Sequence, residues 1–408
     1  MNIKKVVSIV LCVLIGLFSF SQFAFAAEKR NDYPIVMVHG LMGWGEADGV
    51  NSVIPYWGTL CGNIPQYLRS QGYEVYTATT GGQSSVWDQT CELYAQLTGT
   101  RVDYGEAHSQ EHGHSRYGRT YKEPLCPSFG KDKIHLYGYS LGGAIARLLA
   151  SLLEYGSPEE FASCDNPSEL FKGGKGHYIF SVTTASAPHG GTLILDRNGS
   201  FLINALIEFI YVFWGLIGNS PLRSFWDIQF EQFGFTDFPD DCMDGKFSFE
   251  TVRNILDSED CAFYDLTIEG AAQVNEKIEI VEDIYYFSFT SESVCENPLN
   301  GKYYPDIFMN PFLLMTSGII SGFETGEYMG EYIDELWFVN DGIVSTEKSE
   351  HPEGEPFKDY NADNIEPGIW NIMPVIKSMD HIDYMGFITN PVKIYKYYYY
   401  VFDLLVSL

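Results

Sequence analysis

A chain of 408 residues, 45% hydrophobic and 15% aromatic, holds enough apolar material for a large core, which excludes intrinsic disorder. Its 54 Asp and Glu against 25 Lys and Arg give a formal net charge of -29, which disfavours nucleic acid and anionic membranes as partners and suits a neutral or interfacial one. Neither internal repeats nor low-complexity linkers divide it, so one domain with insertions is expected.

The first 26 residues read as an address. Lys4 and Lys5 precede an apolar run from Val6 to Phe18, and Ala24-Phe25-Ala26 offers small residues before Ala27. That layout predicts a secretory signal peptide over 1–26, a domain over 27–408, and an extracellular protein with no stable membrane anchor. Beyond it lie Cys61, Cys91, Cys126, Cys164, Cys242, Cys261 and Cys295, an odd number without CxxC or Cys/His finger spacing. A disulfide framework is not needed at this size, and pairing after export stays open.

Ile35-Val36-Met37-Val38 is a buried-strand signal that runs into the glycine-rich His39-Gly40-Leu41-Met42-Gly43-Trp44-Gly45. Tyr73 to Ala78 alternates like a second strand, and residues 79–132 then form an insertion. It holds Asp88, His108, His112 and His114, with Asp103 and Glu106 nearby. Imidazole and carboxylate together suit zinc, but the spacing matches no short zinc motif, and a solvated polar loop reads the same way.

Lys133 to Tyr139 forms a short strand, Ser140 a turn, and Ala144 to Tyr155 a helix. Gly138-Tyr139-Ser140-Leu141-Gly142 fits G-x-S-x-G, the nucleophile elbow of α/β-hydrolases, in which a serine on a tight turn leaves room only for small neighbours two residues away. A harmless turn serine is the alternative. Tyr178 to Thr184 is another strand, closing in Ala187-Pro188-His189. The apolar run Phe201 to Ile217, at 17 residues marginal for a bilayer, reads as a lid helix or an ordinary buried helix within an insertion over about 196–260. Gly234 to Asp260 looks acidic and loop-like, and Asp283 to Thr290 a late strand. Leu336 to Val339 is an apolar run that would set Asp341 at a strand end; His381 falls in a loop before a closing helix, Val392 to Leu405.

A serine nucleophile needs a histidine base, and that base a carboxylate that fixes its tautomer. The order Ser140, Asp341, His381 is the α/β-hydrolase order, with His39 and His189 as rival bases. Two backbone amides must face the developing oxyanion; those of Leu141, after the serine, and Leu41, after His39-Gly40, are the natural pair.

With these residues in place, nearly the whole chain after residue 26 resembles the secreted lipases of the thermoalkalophilic Bacillus/Geobacillus group and their staphylococcal counterparts. The segments that carry the likeness are His39 to Gly45, Val102 to His108, His112 to Tyr121, Ser181 to Thr184, Gly301 to Pro305, Asn340 to Val344 and Asp380-His381. The resemblance implies an α/β-hydrolase fold, a mostly parallel sheet flanked by helices, and a triacylglycerol lipase or carboxylesterase working through Ser140, Asp341 and His381. It also implies a structural zinc on Asp88, His108, His114 and Asp260, with His112 a non-ligand neighbour. A calcium site would fall on the Phe308 carbonyl and Asp383, but Ile388 stands where a further carboxylate is expected. The elbow departs too, with Gly138 and Leu141 in place of alanine and glutamine. A neutral lipid or other hydrophobic ester is the expected partner. Action on polyesters or phospholipids, a zinc-dependent hydrolase and an inactive surface binder are the alternatives.

Overall fold

The computed structural model describes residues 31–195, 208, 212–213, 215–236 and 240–408. The expected leader and most of the apolar run 201–217 lie outside the described residues.

Apolar runs buried on both faces can pair in parallel only if helices cover the sheet on each side. Seven strands do so: β1 (Ile35–Val38), β2 (Val75–Thr77), β3 (Ile134–Tyr139), β4 (Ile179–Ala185), β5 (Tyr285–Phe289), β6 (Phe357–Asp359) and β7 (Trp370–Ile372). They form one parallel sheet in the order β6-β7-β5-β4-β3-β1-β2. Register decides what meets at its carboxyl end. Val38 pairs with Gly138, and Gly138 with Thr184, so the loops that start at His39, Ser140 and Ser186 emerge side by side. In such sheets that edge is where ligands bind.

Side chains alternate across β3, and the alternation feeds two cores. Leu136 points to one containing Leu93, Ile145 and Leu149, where the helices Val86–Thr98 and Leu141–Tyr155 pack. Tyr137 points to the other, against Trp57, Tyr398 and Phe402 of the closing helix Pro391–Ser407. A third core of Ile217, Phe230, Phe247, Val252 and Phe263 gathers the insertion that follows β4, and Leu41 and Met42 pack against it. That insertion therefore sits on the glycine-rich loop.

Three expectations need correction. Glu335–Phe338 is a 3-10 turn started by the Asp334 side chain, so Asp341 lies in a loop and not at a strand end; a four-residue apolar run cannot distinguish the two. The acidic stretch 234–260 is not all loop, since Ser248 caps a helix over Phe249–Leu256. The helix after the serine begins at once, at Leu141, because Gly142 and Gly143 are drawn into its first turn by packing against β1 and Ala187. Strands β6 and β7 and the helix Val86–Thr98 carried signals too weak to read from sequence. Among the described residues the seven cysteines are unpaired, and no helix is long and apolar enough to cross a membrane.

Candidate active site and metal cluster

Ser140 joins β3 to its helix at φ 55°, ψ -128°, a strained conformation for a residue with a side chain. The turn holds because its neighbours are bare. A Cβ on Gly138 would collide with the Gly142 carbonyl, so the alanine that the resemblance expects at 138 does not fit this elbow. The Gly40 loop presses equally close, since a Cβ there would lie 2.9 Å from the Ser140 Cβ.

The structure brings His381 and Asp341 to the serine. His381 Nε2 lies 3.0 Å from Ser140 Oγ, and His381 Nδ1 lies 2.8 Å from Asp341 Oδ2. The second Asp341 oxygen accepts the Ile343 and Val344 amides at 3.0 and 2.8 Å, and its carbonyl accepts the His381 amide at 2.8 Å. Tyr139 Oη donates to the His381 carbonyl at 2.7 Å, tying the base to the strand that presents the serine. All three side chains are buried, so their hydrogen bonds compete little with water. The relay links a hydroxyl to a carboxylate through one imidazole, an arrangement suited to moving a proton.

Among the described residues neither the Leu41 nor the Leu141 amide donates a hydrogen bond within the chain. Leu141 opens a 15-residue helix, whose N-terminal dipole adds positive potential there. The Leu41 loop is held from behind. Gly40 N donates to Tyr56 Oη at 3.0 Å and Met42 N to the Gly82 carbonyl at 2.8 Å. His39, fully buried, spans the loop's base. Its Nδ1 faces the Gly40 carbonyl at 3.0 Å, and Nε2 accepts the Thr80 amide at 3.2 Å, which fixes a neutral tautomer. Burial holds its pKa down to about 4. Thr80 Oγ1 in turn donates to Gln89 Oε1 at 2.8 Å. His189 is also buried, 3.3 Å from Arg147 and 3.4 Å from the Thr184 hydroxyl. Both rival bases are thus engaged elsewhere.

The insertion brings together a second set. Asp88 from the helix Val86–Thr98, His108 from Glu106–His112, His114 just beyond it, and Asp260 each point one ligand-capable atom inward, all within 4.8 Å of one another. His108 Nε2 lies 3.2 Å from Asp88 and 3.4 Å from Asp260; His114 Nε2 lies 3.3 Å from Asp260 and 3.9 Å from Asp88. Tetrahedral bonds of about 2.0–2.1 Å would separate ligand atoms by roughly 3.3 Å. Within the set His108 Nε2 and Asp88 Oδ1 are within hydrogen-bond reach of each other, whereas His114 Nε2 and both Asp260 oxygens are buried without a hydrogen-bond partner. Burial alone would lower His108; Asp260 and Asp88 outweigh it and raise the imidazole to about 9, the response of a site built for positive charge. Outer contacts fix the ligands: Gln232 Nε2 donates to Asp88 at 2.8 Å, and His114 Nδ1 lies 3.0 Å from the Ser115 carbonyl. The four residues fit a tetrahedral divalent cation.

His112 stays outside this group, its ring 4.5 Å from that of His108, and Asp103 and Glu106 pair with Arg116. Asp383 closes a capping box with Asp380, accepting its amide at 3.1 Å, and Phe308 N donates to Asp306 at 2.6 Å. The Asp88 set is the one group of three or more metal-capable side chains found this close among the described residues. Sequence reading missed Tyr56, Thr80 and Gln89, whose only trace was polar or aromatic character in unassigned segments.

The family described as "Lipase-like, C-terminal domain" matches residues 31–400. A lipase of Staphylococcus hyicus is 36% identical over 371 residues, and lipase 2 of Staphylococcus aureus 35% over 370; each alignment covers 88% of this chain. The chain spans about half the length of these curated relatives, 54% and 51%. Among solved structures, EstA from Clostridium botulinum is similar at TM-score 0.79 and 35% identity, over 93% of this chain and 88% of that one. The Staphylococcus hyicus lipase structure follows at TM-score 0.78 and 33%, over 93% and 97%. Lipase 1 of Pelosinus fermentans gives TM-score 0.76 and 34% identity, over 93% and 99%.

Proposed function

The chain belongs to the family of lipase-like C-terminal domains, and from that premise we propose that it is a secreted carboxylic-ester hydrolase of the triacylglycerol lipase type, with Ser140, His381 and Asp341 as its triad. The observation that carries this reading is the relay at 3.0 and 2.8 Å beside two unpartnered amides. His381 Nε2 takes the Ser140 hydroxyl proton as Oγ attacks the ester carbonyl. The carbonyl oxygen gains negative charge, which the Leu41 and Leu141 amides meet. Collapse of this intermediate expels the alcohol, protonated by His381, and leaves an acyl-serine. Water, deprotonated by the same histidine, then attacks the acyl carbon; the carboxylic acid leaves and Oγ recovers its proton. Asp341 holds the imidazole in the needed tautomer throughout and stays ionised.

Zinc is the cation that best suits two imidazoles and two carboxylates, and Asp88, His108, His114 and Asp260 would hold it. Four protein ligands would leave no open position, so its chemistry there would be structural, with Asp88, His108 and His114 of the insertion tied to Asp260 in the segment before the Ala262–Asp265 turn. This argues against a zinc-dependent hydrolase, because no ligand atom belongs to the Ser140 relay.

The test is hydrolysis of a nitrophenyl ester by Ser140→Ala. Activity should fall by at least about 10⁴-fold with the circular-dichroism spectrum unchanged, and a serine-reactive phosphonate should label the parent protein only. Retained activity in the variant would overturn the triad.

A further inference from the structure

Three stretches of loop and short helix meet beside the relay: residues 49–63, 303–323, which include the helix Leu314–Ser321, and 381–392. Gly58 N donates to the Met385 carbonyl at 2.9 Å and Leu60 N to that of Gly386 at 3.3 Å, joining the first loop to the third. Asn310 N donates to Asp380 Oδ2 at 2.7 Å, and the rings of Phe312 and Phe387 lie 5.9 Å apart, joining the second to the third. The last two loops also border the chemistry, for one contains His381 and the other packs Leu313 onto Gly342.

Their charge pattern is unlike the rest of the chain. In a protein that is 19% charged, the only Asp, Glu, Lys or Arg in all three loops are Asp306 and Asp383. Both are buried, and their carboxylates accept backbone amides, Asp306 from Phe308 and Met309, Asp383 from Asp380. What faces outward instead is apolar. Ile307 is 91% exposed, Phe308 74% and Phe312 70%, and Val53, Leu60 and Ile388 on the other two segments are exposed as well. Ile388 is the most telling of these. A β-branched residue at φ 51° is under backbone strain, and its side chain is nevertheless 55% exposed.

We propose that this face seats the protein on an uncharged, condensed lipid surface, of the kind a triacylglycerol droplet presents. The proposal rests on the ester-hydrolase reading for its purpose, since such a surface would present substrate next to the relay. No Lys or Arg lies within the three segments, Lys302 and Lys393 standing just outside two of them, and the net charge of -29 repels anionic headgroups. A protein partner of comparable contact would call for a polar rim and paired hydrogen bonds, which a face whose carboxylates are turned inward does not offer. Contact with oil needs neither.

The test uses Ser140→Ala protein, so that the surface is not consumed, with and without Ile307→Ser, Phe308→Ser and Phe312→Ser together. Co-flotation with trioctanoin droplets should give an apparent adsorption constant at least tenfold weaker for the combined variant. Phe161→Ser, an exposed apolar side chain on the helix Pro158–Ser163, should change nothing. With Ser140 intact, the combined variant should hydrolyse a soluble nitrophenyl acetate as the parent does. Unchanged adsorption, an equal loss in Phe161→Ser, equal binding to phosphatidylglycerol vesicles, or a concentration-dependent dimer that the three substitutions dissolve would each overturn the proposal. Failure of ester hydrolysis in the parent would instead strike the functional reading, because adsorption is measured without turnover.

Discussion

The protein sets histidine against carboxylate twice, and the two arrangements do opposite things. Around His381 each nitrogen has one partner, a hydroxyl on one side and a carboxylate on the other, both within hydrogen-bonding reach. Around His108 and His114 the distances are similar, yet His114 Nε2 and the Asp260 oxygens satisfy no hydrogen bond. The first geometry strings a hydroxyl, an imidazole and a carboxylate together; the second gathers four ligand-capable atoms within 4.8 Å of one another. Residue type therefore does not separate a proton relay from a cation cage, whereas the direction of the lone pairs does.

The largest expected effect removes direction from the first arrangement while keeping its shape. Asp341→Asn should lower kcat by on the order of 10³–10⁴-fold, because the amide no longer holds the imidazole in the tautomer that accepts the serine proton. A loss below tenfold in steady-state kinetics would mean the relay is not one. The matching change in the second arrangement is Asp260→Asn. Breaking a buried charge set costs about 3–5 kcal/mol, which for a chain of this size is a fall in Tm of about 4–6 °C. Calorimetry should record that fall together with loss of bound zinc in elemental analysis, and the phosphonate should still label Ser140. If labelling vanished at temperatures where the variant is folded, the metal would belong to the chemistry and the contrast would collapse.

The two regions share one helix. Val86–Thr98 carries Asp88 to the cage, and its next residue, Gln89, reaches Thr80 and through it His39 and the Leu41 loop. Thr80→Val should reduce kcat by about tenfold, roughly the worth of one buried hydrogen bond, with KM little changed because the loop meets the transition state and not the resting ester. A rise in KM alone would assign Thr80 to substrate binding. The smallest effect is one of pH. His39 holds a pKa of about 4, so between pH 6.5 and 4 the unfolded chain takes up a proton that the folded one refuses. Its contribution to stability is whole above pH 6.5 and declines as the pH falls toward 4. NMR titration of the ring should give a midpoint near 4; one near 6.5 would mean the bracket on the Thr80 amide is not there.

Much of this site was legible early. The elbow is a local device, for only small residues fit two positions either side of a serine turned this sharply, so five consecutive residues announce it. His381 and Asp341 were readable by order alone, which is weaker, and the strand expected before Asp341 proved to be a 3-10 turn. Asp260 entered only through likeness to a family. Nothing in its neighbourhood marks it as a ligand, because its partners lie nearly 150 residues or more earlier in the chain. The exposed loops were overlooked for a different reason: short apolar runs such as Ile307 to Met309 and Phe312 to Met315 read as core, and burial is not a property of sequence. Ile388 illustrates it, a residue noted for the carboxylate it is not, whose outward strain is visible only in three dimensions.

By itself the sequence determined the short buried strands, the elbow and the kinds of residue available for chemistry, since each depends on neighbours within a few positions. Tertiary structure alone decided that register lines up the ends of β1, β3 and β4, that His39 braces a loop rather than serving as base, and that four distant ligand residues close on one point. It also decided that the carboxylates of one face turn inward. Those outcomes are set by contacts between residues far apart in the chain, and a contact has no signature until both sides are in place.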